Sequence, residues 1–288
     1  MNKIFKLALF TSLGLFLTSC TPSKSGGGGG GGTSGGTDYG PSSDIPVEDA
    51  EYVKQYYSSI DESMSGNDLK NALYSIIHPA KATSDYDAIW TKYLLYSDVA
   101  HPENTGKASE DIMAFYRGTI GKRSDMNKEH VWPKSRGGDC IEGDPHMVRP
   151  TLTSDNSSRG NSFYVEGMAT EHDGWDPKAD GMNETYRGDC ARIIFYCAVQ
   201  EKDHLTLVDK NTDSTSNGTM GKLSDLLKWN LEYAVDVREH RRNAILNGRM
   251  VSYKHTFNLN RNPFIDHPEY ACRIWGGTNS DTRRICGM

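Results

Sequence analysis

The chain has 288 residues, of which 36% are hydrophobic, and it carries a formal net charge of −6 at pH 7. Its 15 Tyr, 8 Phe and 5 Trp can supply a packed core, which excludes a chain disordered throughout. The net negative charge argues weakly against a nucleic-acid partner, so the distribution of charge along the chain has to decide that question.

The first twenty residues indicate export. A basic start is followed by an apolar run over residues 7–17, which is shorter than the roughly 20 residues that span a bilayer. The run ends in the letters LTSC at Cys20, which resemble a bacterial lipobox. A lipid-modified Cys20 would hold the chain on a membrane without a spanning helix. We therefore expect residues 1–19 to be a lipoprotein signal peptide; the alternative is an ordinary signal peptide with an unmodified cysteine.

Two further regions follow Cys20. Residues 20–46 include an unbroken run of glycine over residues 26–32, and such a segment cannot bury a core, so we expect a flexible tether. Residues 47–288 are long enough for one large domain or for two small ones. The predicted location is the cell envelope, either anchored to a membrane by lipid or exported to the surface.

Hydrophobic periodicity predicts helices in the first part of this region and short strands after it. The helices cover residues 52–60, 69–77 and 86–95. The strand-like apolar runs lie at residues 112–116 and around His130, where Pro133 ends regular structure, with a further short apolar run at residues 147–148.

Helices return in the second half of the chain. A long helix is predicted over residues 185–201 and another over residues 224–231. Asp236 and Glu239 form the pattern of a capping box, and Gly248 would close the helix that it opens. Because helices dominate and the strands are few, the expected class is α+β, mostly helical with a small antiparallel sheet.

Five cysteines remain beyond Cys20, and export makes disulfides possible. An odd count leaves at least one thiol free. Cys190 and Cys197 lie two turns apart on the predicted long helix, about 10 Å, which is too far for a bond between them. Cys272 and Cys286 are the expected pair.

Basic side chains concentrate near the C-terminal end. Residues 238–261 carry six of them, including Arg242 and Arg261, against one acid, Glu239. An anionic backbone could dock on this segment through these two arginines despite the overall negative charge. The segment can equally be a solvated helix face, and the sequence leaves both interpretations open.

The stretch 129–161 gathers the groups that metal-assisted phosphodiester hydrolysis requires. Glu129 and Asn156 offer hard oxygen ligands, and Glu142 lies between them in the sequence. The neutral imidazole of His130 can take a proton from water near pH 7. Arg159 could bind a phosphate through its fork of N–H groups. Oxygen ligands favour Mg²⁺, with Ca²⁺ or Mn²⁺ as alternatives, and the usual zinc motifs are absent from the sequence.

Five motifs in this order resemble the bacterial endonuclease I family, which are secreted, sequence-nonspecific nucleases. They are EHVWP at 129–133, DPH at 144–146 followed by RP at 149–150, Asn156 with RGN at 159–161, RGDCAR at 187–192, and NRNPFIDHP at 260–268. The resemblance covers most of residues 50–275. It implies a ββα-metal finger, a nuclease that cuts DNA and often RNA, and 5′-phosphate products.

Carried over residue by residue, the resemblance implies a role for each member of the finger. His130 matches the general base, and Glu129 and Asn156 match the two protein ligands of a single Mg²⁺. Glu142 matches an acidic position near the metal. Arg159 is expected to face the phosphate, and Arg149 is a further candidate for substrate binding.

One geometric conflict follows from the sequence alone. Neighbouring side chains on a regular strand point to opposite faces, so Glu129 and His130 can serve one site only if the strand ends or bulges there.

Two other functions remain open at this stage. One is a non-catalytic surface lipoprotein that binds glycan or protein, and the other is a phosphoesterase for small substrates. The chain is expected to be a monomer that contacts DNA, with RNA as a further substrate, and the membrane through its lipid.

Overall fold

The structure, a computed structural model, describes residues 50–101, 111–168, 174–213 and 217–288. These residues all belong to one compact unit. The predicted signal peptide, Cys20 and the tether lie outside the described residues. Among the helices that are described, none is both long enough and apolar enough to pass through a bilayer.

Helices are the largest class of secondary structure among the described residues and the sheets are small, in agreement with the α+β prediction. Their bounds are α1 Ala50–Tyr56, α2 Gly66–Ile77, α3 Leu95–Ser97, α4 Thr153–Arg159, α5 Tyr186–Gln200, α6 Leu223–Glu232, α7 Val237–Leu246, α8 Pro263–Asp266, α9 Tyr270–Trp275 and α10 Ser280–Cys286.

The strands form three pairs of two among the described residues. Their bounds are β1 Asp111–Ala114, β2 Thr119–Lys122, β3 Met126–His130, β4 Val148–Leu152, β5 Thr206–Leu207 and β6 Thr219–Met220. The pairs β1–β2 and β3–β4 are antiparallel, and β5–β6 is parallel. A bridge between Phe115 and Thr151 joins the first pair to the second.

Helix α5 is buried along its whole length, so it is the centre of the core. The sequence predicted one apolar face, but the polar side chains of the helix are buried as well. They are neutralised by ion pairs: Arg192 binds Glu239 of α7, and Arg187 binds Asp176. A helix buried on all sides can carry charge only when each charge has such a partner.

Two of the predicted elements differ from the observed ones. Residues 86–95 form a short 3-10 turn and a π-helical turn before α3 rather than one regular helix. The strand predicted over 112–116 ends at Ala114, because Tyr116 adopts a left-handed φ of 73° and cannot continue the pleat.

Two local predictions are confirmed. Asp236 and Glu239 form a capping box at the start of α7. Cys272 and Cys286 form a disulfide that joins α9 to α10, whereas Cys190 and Cys197 are buried free thiols.

Candidate active site

The antiparallel strands β3 and β4, followed directly by α4, form the expected ββα finger. The ladder pairs Glu129 with Arg149 and His130 with Val148. The chain between the two strands, residues 131–147, carries Glu142. Helix α4 then brings Asn156 and Arg159 back towards β3, against which it packs.

His130 lies at the end of β3 and is half-buried. Its Nε2 atom is fully buried and has no hydrogen-bond partner among the described residues. Burial penalises the charged ring and lowers the pKa of His130 from 6.5 to about 4. The imidazole is therefore neutral at pH 7 and can accept a proton.

The ring of His130 stacks on the ring of Tyr86. The centroids are 4.6 Å apart and the planes are inclined by 27°. Lys128 holds this tyrosine, because its Nζ lies 3.5 Å from the centroid of the Tyr86 ring and donates to the Tyr86 carbonyl at 2.9 Å. No motif in the sequence marks Tyr86 as a partner of His130, because it is 44 residues away along the chain.

Glu142 faces His130 from the loop between the strands. It is half-buried, and Lys134 donates to its Oε2 at 2.6 Å. Its negative charge partly offsets the effect of burial on the pKa of His130. The carboxylate is thus placed to stabilise an imidazolium once His130 has taken a proton.

Glu129 is buried in the core of the finger. Its Oε1 accepts a hydrogen bond from Tyr116 at 2.7 Å and lies 3.6 Å from Nη1 of Arg159. Its other oxygen, Oε2, accepts no hydrogen bond from the described residues. Burial raises the pKa of this carboxyl above its usual value, although Arg159 and Tyr116 oppose the shift. A buried carboxylate with one uncommitted oxygen suits a cation.

The environment of Arg159 corrects one prediction. Its side chain is 1% exposed, and it donates to the backbone carbonyls of His130 at 3.2 Å and of Val131 at 2.6 Å. A guanidinium that is buried and donates to backbone carbonyls in this way cannot also contact a phosphate. Arg159 is a positioning residue that fixes the end of β3 and lies beside Glu129.

The strand geometry decides the conflict between Glu129 and His130. The ladder with β4 is regular through His130, so the two side chains leave β3 on opposite faces. Glu129 meets Tyr116 and Arg159, whereas His130 meets Tyr86 and Glu142. Both environments nevertheless lie near Tyr86. Burial is the main cause of the raised pKa of this tyrosine, and the negative charges of Glu142 and Glu129 raise it further.

Asn156 is the second of the two predicted metal ligands. It is half-buried on α4, and its side-chain amide has no hydrogen-bond partner among the described residues. Hard oxygens from one carboxylate and one amide are the donors that Mg²⁺ takes with water and phosphate. The residues present therefore fit such an ion. Within the described part of the chain, no cluster of three or more His, Cys, Asp or Glu side chains forms a metal site of another kind.

The three arginines predicted to bind substrate have other partners, and the structure corrects these predictions. Arg242 binds Asp98 through two nitrogens, at 2.9 and 3.0 Å, and Arg149 binds the same carboxylate at 3.0 Å. Arg261 is fully buried and binds Asp266 at 2.6 Å. Their guanidinium groups form ion pairs within the fold and do not form a basic surface. The docking interpretation of residues 238–261 is therefore not supported.

Comparison with known proteins places this finger in a family. The sequence model of the family described as Endonuclease I matches residues 65–269. The chain belongs to the Endonuclease I family.

Relatives of this Endonuclease I chain share most of its length. It is 36% identical over 262 residues to the extracellular ribonuclease of Bacillus amyloliquefaciens, a match that spans 84% of this chain and 86% of the relative. It is 35% identical over 239 residues to the extracellular ribonuclease of Bacillus subtilis (strain 168), spanning 76% and 78%. The protein is therefore a nuclease, and the interpretation as a non-catalytic binding lipoprotein is wrong.

Proposed function

We propose that this chain is an exported, metal-dependent endonuclease that hydrolyses phosphodiester bonds of RNA and DNA without recognising a defined sequence. The observation that carries the proposal is the neutral, half-buried imidazole of His130 at the end of the ββα finger, which stacks on Tyr86 and is influenced by the negative charge of Glu142. The names of the relatives support RNA as a substrate and an extracellular location.

The chain's own residues carry out the proton transfer. His130 accepts a proton from a water molecule while the oxygen of that water attacks phosphorus. Glu142 stabilises the imidazolium that forms. The bond from phosphorus to the 3′-oxygen breaks, the 3′-oxygen takes a proton from solvent, and the product keeps a 5′-phosphate. Tyr86 holds the ring of His130, and Arg159 holds its backbone.

The proposed cation is Mg²⁺, with Ca²⁺ or Mn²⁺ as alternatives, bound by Glu129 and Asn156. When bound, it would stabilise charge on the phosphate and on the departing oxygen. Contacts to the nucleic-acid backbone carry no base information, which agrees with cleavage at many sequences.

A cleavage assay tests this function. Protein lacking residues 1–46 is incubated with RNA and with plasmid DNA, with Mg²⁺ and with excess EDTA. We expect cleavage only with the cation, and loss of cleavage by at least about a hundredfold in His130→Ala and Asn156→Ala. His204→Ala, an exposed histidine, is the control. Folded wild-type protein that cuts neither polymer with any of the three cations would refute the proposal, and hydrolysis of small phosphate esters alone would favour a phosphoesterase.

We also propose that Cys20 carries a lipid that tethers the nuclease to the cell envelope through residues 20–46. The supporting pattern is the apolar run that ends in LTSC. Full-length protein should partition into detergent, and Cys20→Ser should move it to the aqueous phase. Equal partitioning of both forms would show that Cys20 is no anchor.

A further inference from the structure

A cavity of about 590 Å³ is lined in part by Tyr86 and Glu142, the two residues that act on the ring of His130. One wall is the segment over residues 81–87, which includes Tyr86, the residue that stacks on His130. The other wall is the segment over residues 139–144, which carries Glu142. A cavity of this size is within the range of small-molecule sites. A phosphate held at His130 would place a neighbouring nucleoside at its mouth.

The two walls are held at a fixed separation. Ser84 Oγ donates to the carbonyl of Gly143 at 2.9 Å. A side chain at position 143 would clash there, because a Cβ on Gly143 would lie 1.7 Å from the Ser84 carbonyl oxygen. The close backbone contact between residues 84 and 143 therefore fixes the two walls against each other.

The charges that line the cavity exclude a phosphate from it. Both lining lysines are already paired, Lys81 with Glu201 at 2.8 Å and Lys134 with Glu142 at 2.6 Å. Asp85 and Asp139 also line it, and among the described residues neither has an ion-pair partner. The net charge is negative, so an anionic backbone is repelled and a neutral group with N–H donors is favoured.

We propose that this cavity binds an unpaired nucleobase next to the cleaved bond, and that it prefers bases with an exocyclic amino group. This inference rests on the proposed nuclease function of His130. A base in a duplex has its donors committed to its partner and is stacked on both sides, so it must leave the helix before it can enter. Carboxylate oxygens such as those of Asp139 accept from the amino groups of cytosine, adenine and guanine, whereas uracil lacks that donor.

The first test blocks the cavity. Cys140 is an exposed free thiol in its lining, and it donates only to the carbonyl of Gly137, so Cys140→Trp fills the space and Cys140→Ser is the matched control. Cleavage sites are mapped on one RNA that contains both loops and a stem. We expect wild type and Cys140→Ser to cut unpaired linkages about tenfold more often than paired ones, and Cys140→Trp to lose most of this preference.

The second test probes base identity and does not depend on the folding of the tryptophan variant. Cleavage rates are compared on poly(C) and poly(U), two pyrimidine polymers in which cytosine carries an exocyclic amino group and uracil a carbonyl. Wild type should cut poly(C) about tenfold faster, and Asp139→Ala should lower this ratio. Asp68→Ala, which removes an exposed acid on α2, should leave the ratio unchanged.

The outcomes separate the two proposals. Equal cutting of paired and unpaired linkages by wild type, or an unchanged preference in Cys140→Trp, would overturn the cavity assignment and leave the nuclease assignment standing. Equal rates on poly(C) and poly(U) would overturn the amino-group preference. Folded wild type that cuts no RNA or DNA would refute the nuclease function and the cavity assignment together.

Discussion

Nη1 of Arg159 donates to the backbone carbonyl of His130 at 3.2 Å, so a buried cation on α4 fixes the end of the strand that carries the proposed general base. The same guanidinium lies 3.6 Å from Glu129. One side chain thereby couples the positions of the proposed base and the proposed metal ligand.

Removing this guanidinium should destabilise the protein strongly. Arg159→Met leaves Glu129 buried without its cation and leaves backbone carbonyls unpaired, so the free energy of unfolding should fall by about 3–5 kcal/mol. Urea unfolding measures the change. Arg283→Met, at an exposed position of α10, is the control and should change the value by less than about 0.5 kcal/mol. A similarly small effect for Arg159→Met would show that this side chain does not hold the finger together.

The hydroxyl of Tyr116 should support cation binding. Tyr116→Phe removes the hydrogen bond to Oε1 of Glu129, and the loss of such a supporting contact weakens metal affinity by about tenfold to a hundredfold. Calorimetric titration with Mg²⁺ gives the dissociation constant. Tyr57→Phe removes a comparable hydrogen bond, from a buried tyrosine to Asp266, and should leave the constant unchanged. Equal affinities for all three proteins would contradict the ligand role of Glu129.

The ring of Tyr86 should orient His130. Tyr86→Leu removes the stack, and we expect kcat to fall by about tenfold or more while the protein stays folded. Tyr86→Phe keeps the ring and loses only a weak hydrogen bond of 3.4 Å to the Lys128 carbonyl, so its kcat should stay near that of wild type. Tyr74→Leu, which disrupts the corresponding stack on His78, is the control. Equal losses in the leucine and phenylalanine variants would assign the effect to the hydroxyl.

His146 should make the protein less stable in acid. It is buried, its Nε2 lies 3.1 Å from the Asn260 carbonyl, and burial, with the charge of Arg242, lowers its pKa from 6.5 to about 3. Above pH 6.5 both states leave it neutral. Below that pH only the unfolded chain binds the proton, so stability falls by up to about 1.4 kcal/mol per pH unit until about pH 3.

A variant isolates this contribution from that of other groups. His146→Gln keeps a donor for the Asn260 carbonyl but does not titrate, so its free energy of unfolding should vary less between pH 6.5 and 4 than that of wild type. Identical pH slopes for the two proteins would show that His146 is protonated in the folded state.

The features that could be predicted from the sequence are those that depend on neighbouring residues and on short motifs. The capping box at Asp236 and the disulfide between Cys272 and Cys286 follow from local patterns, and the ββα finger around His130 is implied by the family resemblance; the structure has all three. The family motifs predicted the general nuclease function, which the relatives support.

What the sequence did not predict depends on contacts between distant segments. Arg242 resembled a docking cation because its partner Asp98 is 144 residues away, and only the fold brings the two together. Tyr86 had no motif that distinguished it from other tyrosines. The sequence also gave no sign that Arg159 is buried, because it does not distinguish an arginine that binds phosphate from one that binds backbone carbonyls.

Helix α5 joins the finger to the rest of the molecule. Tyr196 of this helix donates to Asp144 in the loop of the finger at 2.7 Å, and Arg192, one turn earlier on the same helix, binds Glu239 of α7. The ββα unit therefore lacks a self-contained interior. Grafted alone onto another scaffold, it would expose the surface that α5 covers and would not retain its shape, so evolution or design can exchange its loops but not the unit itself.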